Sequence, residues 1–326
     1  MNSQQKENWR NLFDISKKIN KLKPWQFVSE SQLFIVHLPN HTQPIVITVL
    51  GEYNQPGLLM YPTAQSQKIL ANTLYDSIDI VDPLSHRITQ KDTLACYFGN
   101  REDLSKEDYK LVKSLDLNPR GDGNWLQFIK FQAGTFPQSL DEDDISLLTQ
   151  SYDIMYAGLN ELQLTENSVH EFTHFYLNET SITISQEEYK LYEENGLTPE
   201  PFKNDVLIRR LNYLNRSSIT LELTYFYTNQ LDDDHNVITM IIGVDADLGS
   251  IYFFDFSHGP QNVHHDIFTQ LAQFFKLTGR PKQINVRLED LSCVLDDFCQ
   301  RLDIKLVTTP DLDELDIACI SLLEVL

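Results

Sequence analysis

The sequence predicts an α+β N-terminal domain followed by an α/β C-terminal domain, and three observations carry that expectation. Up to about Leu162, short apolar runs of strand length are interspersed with amphipathic stretches of helical period. A polar, glutamate-rich stretch follows, with Gly196, Pro199 and Pro201 near its end. From Ser217 to Leu326 the order is three strands, then helix, strand, helix, strand and helix (βββαβαβα), the succession of a mixed sheet covered by helices. A chain of 326 residues exceeds what one core usually organises. The domains are therefore placed at residues 1–164 and 205–326, with 165–204 as a connecting segment.

The elements follow in order. Trp9, Leu12, Phe13, Ile19 and Leu22 share one face of a helix over Glu7–Leu22, which Pro24 stops. Four β-like runs come next: Trp25–Val28, Leu33–Leu38, Ile45–Leu50 and Leu58–Tyr61. A helix over Ala64–Tyr75 precedes a strand at Thr93–Phe98. Ser105, with Asp108 three residues on, opens another helix in the manner of a capping box. A strand at Trp125–Phe131 leads to a long helix ending near Leu162. The run Asp141-Glu142-Asp143-Asp144 suits that helix's N-terminus, where carboxylates meet the positive end of the dipole.

In the second domain, Ile219, Leu221, Leu223, Tyr225 and Tyr227 alternate with Thr220, Glu222, Thr224, Phe226 and Thr228. Val237–Val244 and Ile251–Phe256 are continuous apolar runs, as strands covered on both faces require. Val263, Ile267, Phe268, Leu271, Phe274 and Phe275 form the stripe of the next helix. Ile284–Leu288 is a strand, and Asp290 opens a helix carrying Leu291, Val294, Leu295, Phe298 and Leu302. Ile304–Val307 closes the sheet, and a last helix from Pro310-Asp311 turns Leu312, Leu315, Cys319 and Leu322 inward.

Charge bounds the function. The chain has 26 Lys plus Arg against 47 Asp plus Glu, a formal net charge of −21. Such a surface repels phosphate backbones and argues against direct nucleic-acid binding. It fits solubility, association with a basic partner, or mimicry of a nucleic acid that occupies such a partner. The N-terminal residues lack the apolar core of a secretory signal, and no apolar run approaches the ~20 residues of a membrane span. Cys96, Cys293, Cys299 and Cys319 form no CxxC pair and read as reduced core thiols, so a cytoplasmic protein is expected.

One string carries potential chemistry. His170-Glu171-Phe172-Thr173-His174 matches HExxH, in which a helix puts two histidines on one face of a zinc ion and the glutamate activates its water. Phe175-Tyr176-Leu177 and Thr180–Ile184 favour strand instead. Glu187, Glu188, Glu193 and Glu194 are the candidates for a third ligand. His258, His264 and His265, near Asp255 and Asp266, read as capping and surface residues, because adjacent helical histidines diverge by about 100°. Asp232-Asp233-Asp234 lacks the glycine and spaced glutamate of a calcium loop and reads as a hairpin turn.

Pro24-Trp25, the Gly51 turn with Gly57-Leu58-Leu59-Met60-Tyr61, Gly279-Arg280-Pro281-Lys282-Gln283-Ile284 and Leu302-Asp303-Ile304 carry a resemblance. The whole chain resembles a bacterial two-domain family classed as domains of unknown function, some of whose members bear a zinc-binding tail. No cysteine-rich tail follows here, so that zinc site is not implied. The C-terminal third resembles the ribonuclease-H-like and integrase-like core, which works through acidic residues on its sheet. The resemblance implies a catalytic aspartate at the end of the fourth strand, where this register has Arg287, and a first acid at Glu222. Asp245 and Asp255 lie near strand ends. A divalent cation needs oxygen ligands, so Arg287 implies a non-catalytic version of the fold.

The expectation is thus a non-catalytic cytoplasmic interaction protein that binds another protein through its acidic surface and needs no cofactor or metal. The alternative is a metal-dependent hydrolase, built on His170, Glu171 and His174 or on carboxylates around Glu222. A nucleic-acid mimic that inhibits a basic partner is the third.

Overall fold

The computed structural model describes residues 1–51, 55–75, 92–132, 134–165, 169–178, 181–191, 201–233 and 236–323. Two compact units emerge. One comprises described residues up to Leu191; the other comprises Gly134–Phe136 and the residues from Pro201 onward. Each holds a mixed sheet flanked by helices.

The first unit opens with α1 (Ser3–Leu22), capped by Asn2, whose side chain accepts from the Gln5 N–H while Gln5 reciprocates. Next come β1 (Leu33–His37), β2 (Ile45–Leu50), β3 (Gly57–Tyr61), α2 (Ala64–Tyr75), β4 (Thr93–Gly99), α3 (Lys106–Ser114), β5 (Trp125–Phe131) and α4 (Glu142–Thr165). Trp25–Val28 is a correction: Pro24–Gln26 forms a single 3-10 turn, because proline fixes φ at a helical value and supplies no ladder donor. Ser105 caps α3 as expected. Asp141 and Asp144 cap α4 reciprocally, each accepting the other's backbone N–H, and Lys130 lies 2.9 Å from both carboxylates.

Two further strands, β6 (Phe172–Leu177) and β7 (Ile182–Ser185), come from within residues 165–204. The sheet order is β5-β4-β3-β2-β1-β6-β7, with β1 and β6 parallel and every other pair antiparallel. One face packs against α1, α3 and α4 through Leu12, Phe34, Ile47, Leu148 and Phe175. The other carries Leu33, Ile35 and Val46 beneath Leu70, Ala71 and Leu191.

The second unit contains α5 (Asp205–Asn212), β8 (Thr220–Leu231), β9 (Val237–Asp245), β10 (Ile251–Ser257), α6 (Val263–Thr278), β11 (Gln283–Val286), α7 (Glu289–Arg301), β12 (Lys305–Thr308) and α8 (Asp313–Leu323). From β8 onward three strands are followed by helix, strand, helix, strand and helix. The sheet runs β10-β9-β8-β11-β12; β8 is antiparallel to β9 but parallel to β11. Leu221, Leu223 and Ile241 face α5, α6 and α7. Phe226, Met240, Ile242 and Val244 face α8. Alternation along β8 therefore decides which side chains meet which helix. Gly279 ends α6 with φ of 87°, and a Cβ there would lie 2.7 Å from the Asn215 carbonyl oxygen, so the turn requires glycine. Cys96, Cys299 and Cys319 are buried and form no disulfide; burial pushes Cys299 up to about 12, which keeps it unreactive.

Candidate functional site

The residues singled out in the second unit fall on the α8 side of its sheet, at the strand ends and in the first turn of α6. Glu222 lies on β8 and is only 6% exposed. Its Oε2 accepts the Leu315 N–H at 2.9 Å, satisfying a first-turn donor of α8 that the helix cannot satisfy itself. Burial raises its pKa, and Asp313, Glu314 and Asp316 add to the rise against the opposing pull of the Leu315 N–H. Arg287 follows β11 directly. Its Nη1 and Nη2 donate to the two oxygens of Asp316 on α8 at 3.0 and 2.7 Å, and its Nε donates to the Pro310 carbonyl at 2.9 Å. This two-pronged geometry is the strongest arrangement available to an arginine and a carboxylate.

The other strand-end acids serve local structure. Asp245 ends β9, where its Oδ1 accepts the Asp247 and Leu248 N–H groups and its Oδ2 accepts the Tyr252 hydroxyl at 2.5 Å. Burial pushes its carboxyl upward, but these hydrogen bonds outweigh it and the pKa is lowered. Asp255 accepts from Gln270 on α6 and from the Phe256 N–H. Asp266 accepts the Ser257 hydroxyl at 2.6 Å, and His264 and His265 are exposed in the first turn of α6. Asp232 takes the Asn236 N–H at 2.8 Å, closing its end of the turn; Asp234 lies outside the described residues.

The HExxH string of His170, Glu171 and His174 is not helical, unlike the frame the zinc alternative requires. His170 and Glu171 are exposed and precede β6, whereas His174 lies within it, 4% exposed. The ladder with β1 decides this: Leu33 pairs with Phe172 and Ile35 with His174. Only Phe172–His174 of the string is strand, so it lacks the helical turn that would put the two imidazoles on one face. Glu193 and Glu194 lie outside the described residues, and Glu187 accepts the Ser185 hydroxyl at 2.5 Å. Among the described residues, no group of three His, Cys, Asp or Glu side chains is arranged to hold a metal ion.

What β6 does assemble is a histidine pair. His174 Nδ1 lies 3.0 Å from His37 Nε2, and its Nε2 lies 3.3 Å from the Glu187 carbonyl oxygen. A carbonyl only accepts, so His174 donates from Nε2 and accepts from His37 at Nδ1. Tyr176 stacks on His37 at 4.0 Å, and Tyr189 meets His174 edge-on at 5.7 Å. Burial lowers the pKa of both histidines; the partner imidazole lowers His37 further, and Glu187 opposes both shifts. His37 has no motif of its own. Only the parallel pairing of strands 137 residues apart reveals it.

A profile for a domain of unknown function, DUF7309, matches residues 9–191, which is the first unit almost entire. The chain belongs to the DUF7309 family. Residues 207–323 match a second domain of unknown function, DUF6930. No curated protein matches this family member. Among solved structures, it is similar to a chain in the cryo-EM structure of the simian T-cell lymphotropic virus intasome in complex with PP2A regulatory subunit B56 gamma. The identity is 14% and the TM-score 0.25, over 41% of this chain and 45% of that one. The match thus spans less than half the length of the other chain.

Proposed function

We propose that this protein is a non-catalytic, cytoplasmic interaction protein of bacterial type that binds a basic protein partner. Its second unit is read as a degenerate ribonuclease-H-like core. Supporting that reading, three antiparallel strands are followed by two parallel ones in the order β10-β9-β8-β11-β12. The observation that carries the proposal is Arg287. At the end of β11, where such a core would hold a carboxylate for a divalent ion, a guanidinium neutralises Asp316 instead. Glu222, the nearest equivalent of a first acid, is committed to α8. A cation entering this face would have to displace an arginine and uncap a helix. The net charge of −21 favours fast, salt-sensitive association with a basic surface.

The test pairs two measurements on the purified chain. Calorimetric titration with magnesium, manganese and zinc salts is expected to show no saturable site. A partner identified by cross-linking and purified separately is expected to rebind with an affinity that falls as salt rises. Saturable divalent binding, joined to metal-dependent cleavage of nucleic acid, would overturn the reading.

A further inference from the structure

The negative charge of the chain is unevenly spread. Residues 206–221 and 267–286 hold six Lys or Arg and no Asp or Glu, although the chain as a whole has 47 acids in 326 residues. The second unit brings these two stretches to one end. Thr220, Gln283 and Lys305 open β8, β11 and β12 level with one another. The ends of α5, α6 and α7 meet beside them: the Arg280 N–H donates to the Asn215 carbonyl at 2.8 Å, and Asn212 Nδ2 donates to the Arg301 carbonyl at 3.3 Å. Part of the charge is structural. Arg280 also donates to the Leu302 carbonyl, and Arg216 and Arg301 pair with Asp303 and Asp205. Arg209, Arg210, Lys276, Lys282 and Lys305 are exposed instead, and among the described residues none of the five is in a salt bridge. Helix dipoles account for cations in the last turns of α5 and α6. They do not account for Lys282 and Lys305 at the strand starts, nor for the missing acids.

A second observation falls at the same end. Tyr213, Leu277 and Leu248 are 91%, 87% and 76% exposed, the three highest values among the described large apolar side chains. Tyr213 caps α5 and Leu277 lies in the last turn of α6. Leu248 is in the turn after β9, which the Ala246 N–H ties to the Thr220 carbonyl at 2.9 Å; exposed Asp247 bounds the basic area there. One exposed apolar residue needs no explanation, but tyrosine and leucine set among uncovered arginines have the make-up of an interface centre.

We propose that this end of the second unit docks a short acidic protein segment carrying a bulky apolar residue. The carboxylates meet Arg209, Arg210, Lys276 and Lys282, and the apolar residue packs on Tyr213 and Leu277. A short segment senses the local positive field, because charges more than about 8 Å away are screened at physiological salt. A nucleic-acid duplex or a second copy of the chain extends further and meets the net charge of −21. The inference rests neither on the acidic surface nor on the Arg287 site.

The experiment is fluorescence anisotropy on the intact chain with three labelled probes: a dodecapeptide of Glu and Asp interspersed with Leu and Phe, one of equal charge made of Glu and Gly, and a DNA duplex. The first is expected to bind, more weakly as salt rises, and at least tenfold more tightly than the other two. Arg209→Glu with Arg210→Glu should weaken it at least tenfold, and Tyr213→Ala with Leu277→Ala about tenfold, with unchanged melting curves because all four side chains are exposed. Lys106→Glu with Lys110→Glu, the same charge change on α3 of the first unit, should leave affinity intact. The proposal is wrong if the first peptide fails to bind, if the Glu–Gly peptide or the duplex binds as well, or if the α3 reversal costs as much. It is equally wrong if the chain forms a dimer that the Arg209 and Arg210 reversal dissolves.

Discussion

Replacing Gly158 by alanine sets two effects of known size against each other. Gly158 lies inside α4, where alanine is intrinsically better than glycine by about 1 kcal/mol. The added methyl would, however, stand 2.4, 2.5 and 2.8 Å from three ring carbons of Phe175. That ring has little room to yield, since Phe175 is fully buried and stacked on Phe34 with centroids 5.2 Å apart. Overpacking costs about 1–3 kcal/mol, and three ring contacts under 3 Å place this case at about 2–3 kcal/mol, so the clash wins and the net loss is about 1–2 kcal/mol. For a unit of this size the midpoint should fall by about 2–8 °C. The three tryptophans, Trp9, Trp25 and Trp125, all belong to the first unit, so tryptophan fluorescence during heating follows it selectively. Gly158→Ala combined with Phe175→Leu should recover part of the loss. A single variant that melts at or above the parent temperature would refute the reasoning.

Further outcomes are expected elsewhere. Arg287→Ala should loosen α8 by about 1–2 kcal/mol, seen as faster amide exchange there, and Arg287→Lys should restore little because an ammonium cannot bond both oxygens of Asp316 in one plane; unchanged exchange in α8 would contradict this. The lowered pKa of His37 and His174 makes the unfolded chain the better proton binder, so first-unit stability should fall as pH drops below about 6.5 and level off beneath the folded values. His174→Phe should reduce that slope, and identical pH curves for parent and variant would count against the pair. Glu222 has the opposite sign. Its raised pKa means stability declines as pH rises from about 4.5 through the folded value. Glu222→Gln, which keeps an acceptor for the Leu315 N–H, should be more stable than the parent at neutral pH and indistinguishable below that window by chemical denaturation monitored through amide exchange.

Local patterning made most elements legible in advance. The alternation of Leu221 and Leu223 with Glu222 gives both the strand and the face on which Glu222 lies, and the Ser105 box places the start of α3 to the residue. What escaped the sequence was non-local. Trp25–Val28 has strand-like composition, yet Pro24 imposes a turn. The stretch 165–204 looks like a polar connection because β6 and β7 are short and lie at one edge of the first sheet, so few of their positions need be apolar. Arg287 was identified by register, but its partner Asp316 was not, since a helix residue 29 positions away leaves no local trace. His37 was missed for the same reason.

The parallel alignment of β1 with β6 bears on how the polypeptide comes off the ribosome. Strand β1 is made early, but its second neighbour is translated only some 135 residues later. Until then its outer edge is an open template for another nascent chain. A fragment cut near residue 164 would keep that edge bare permanently and should aggregate, whereas one extended through Leu191 would seal it.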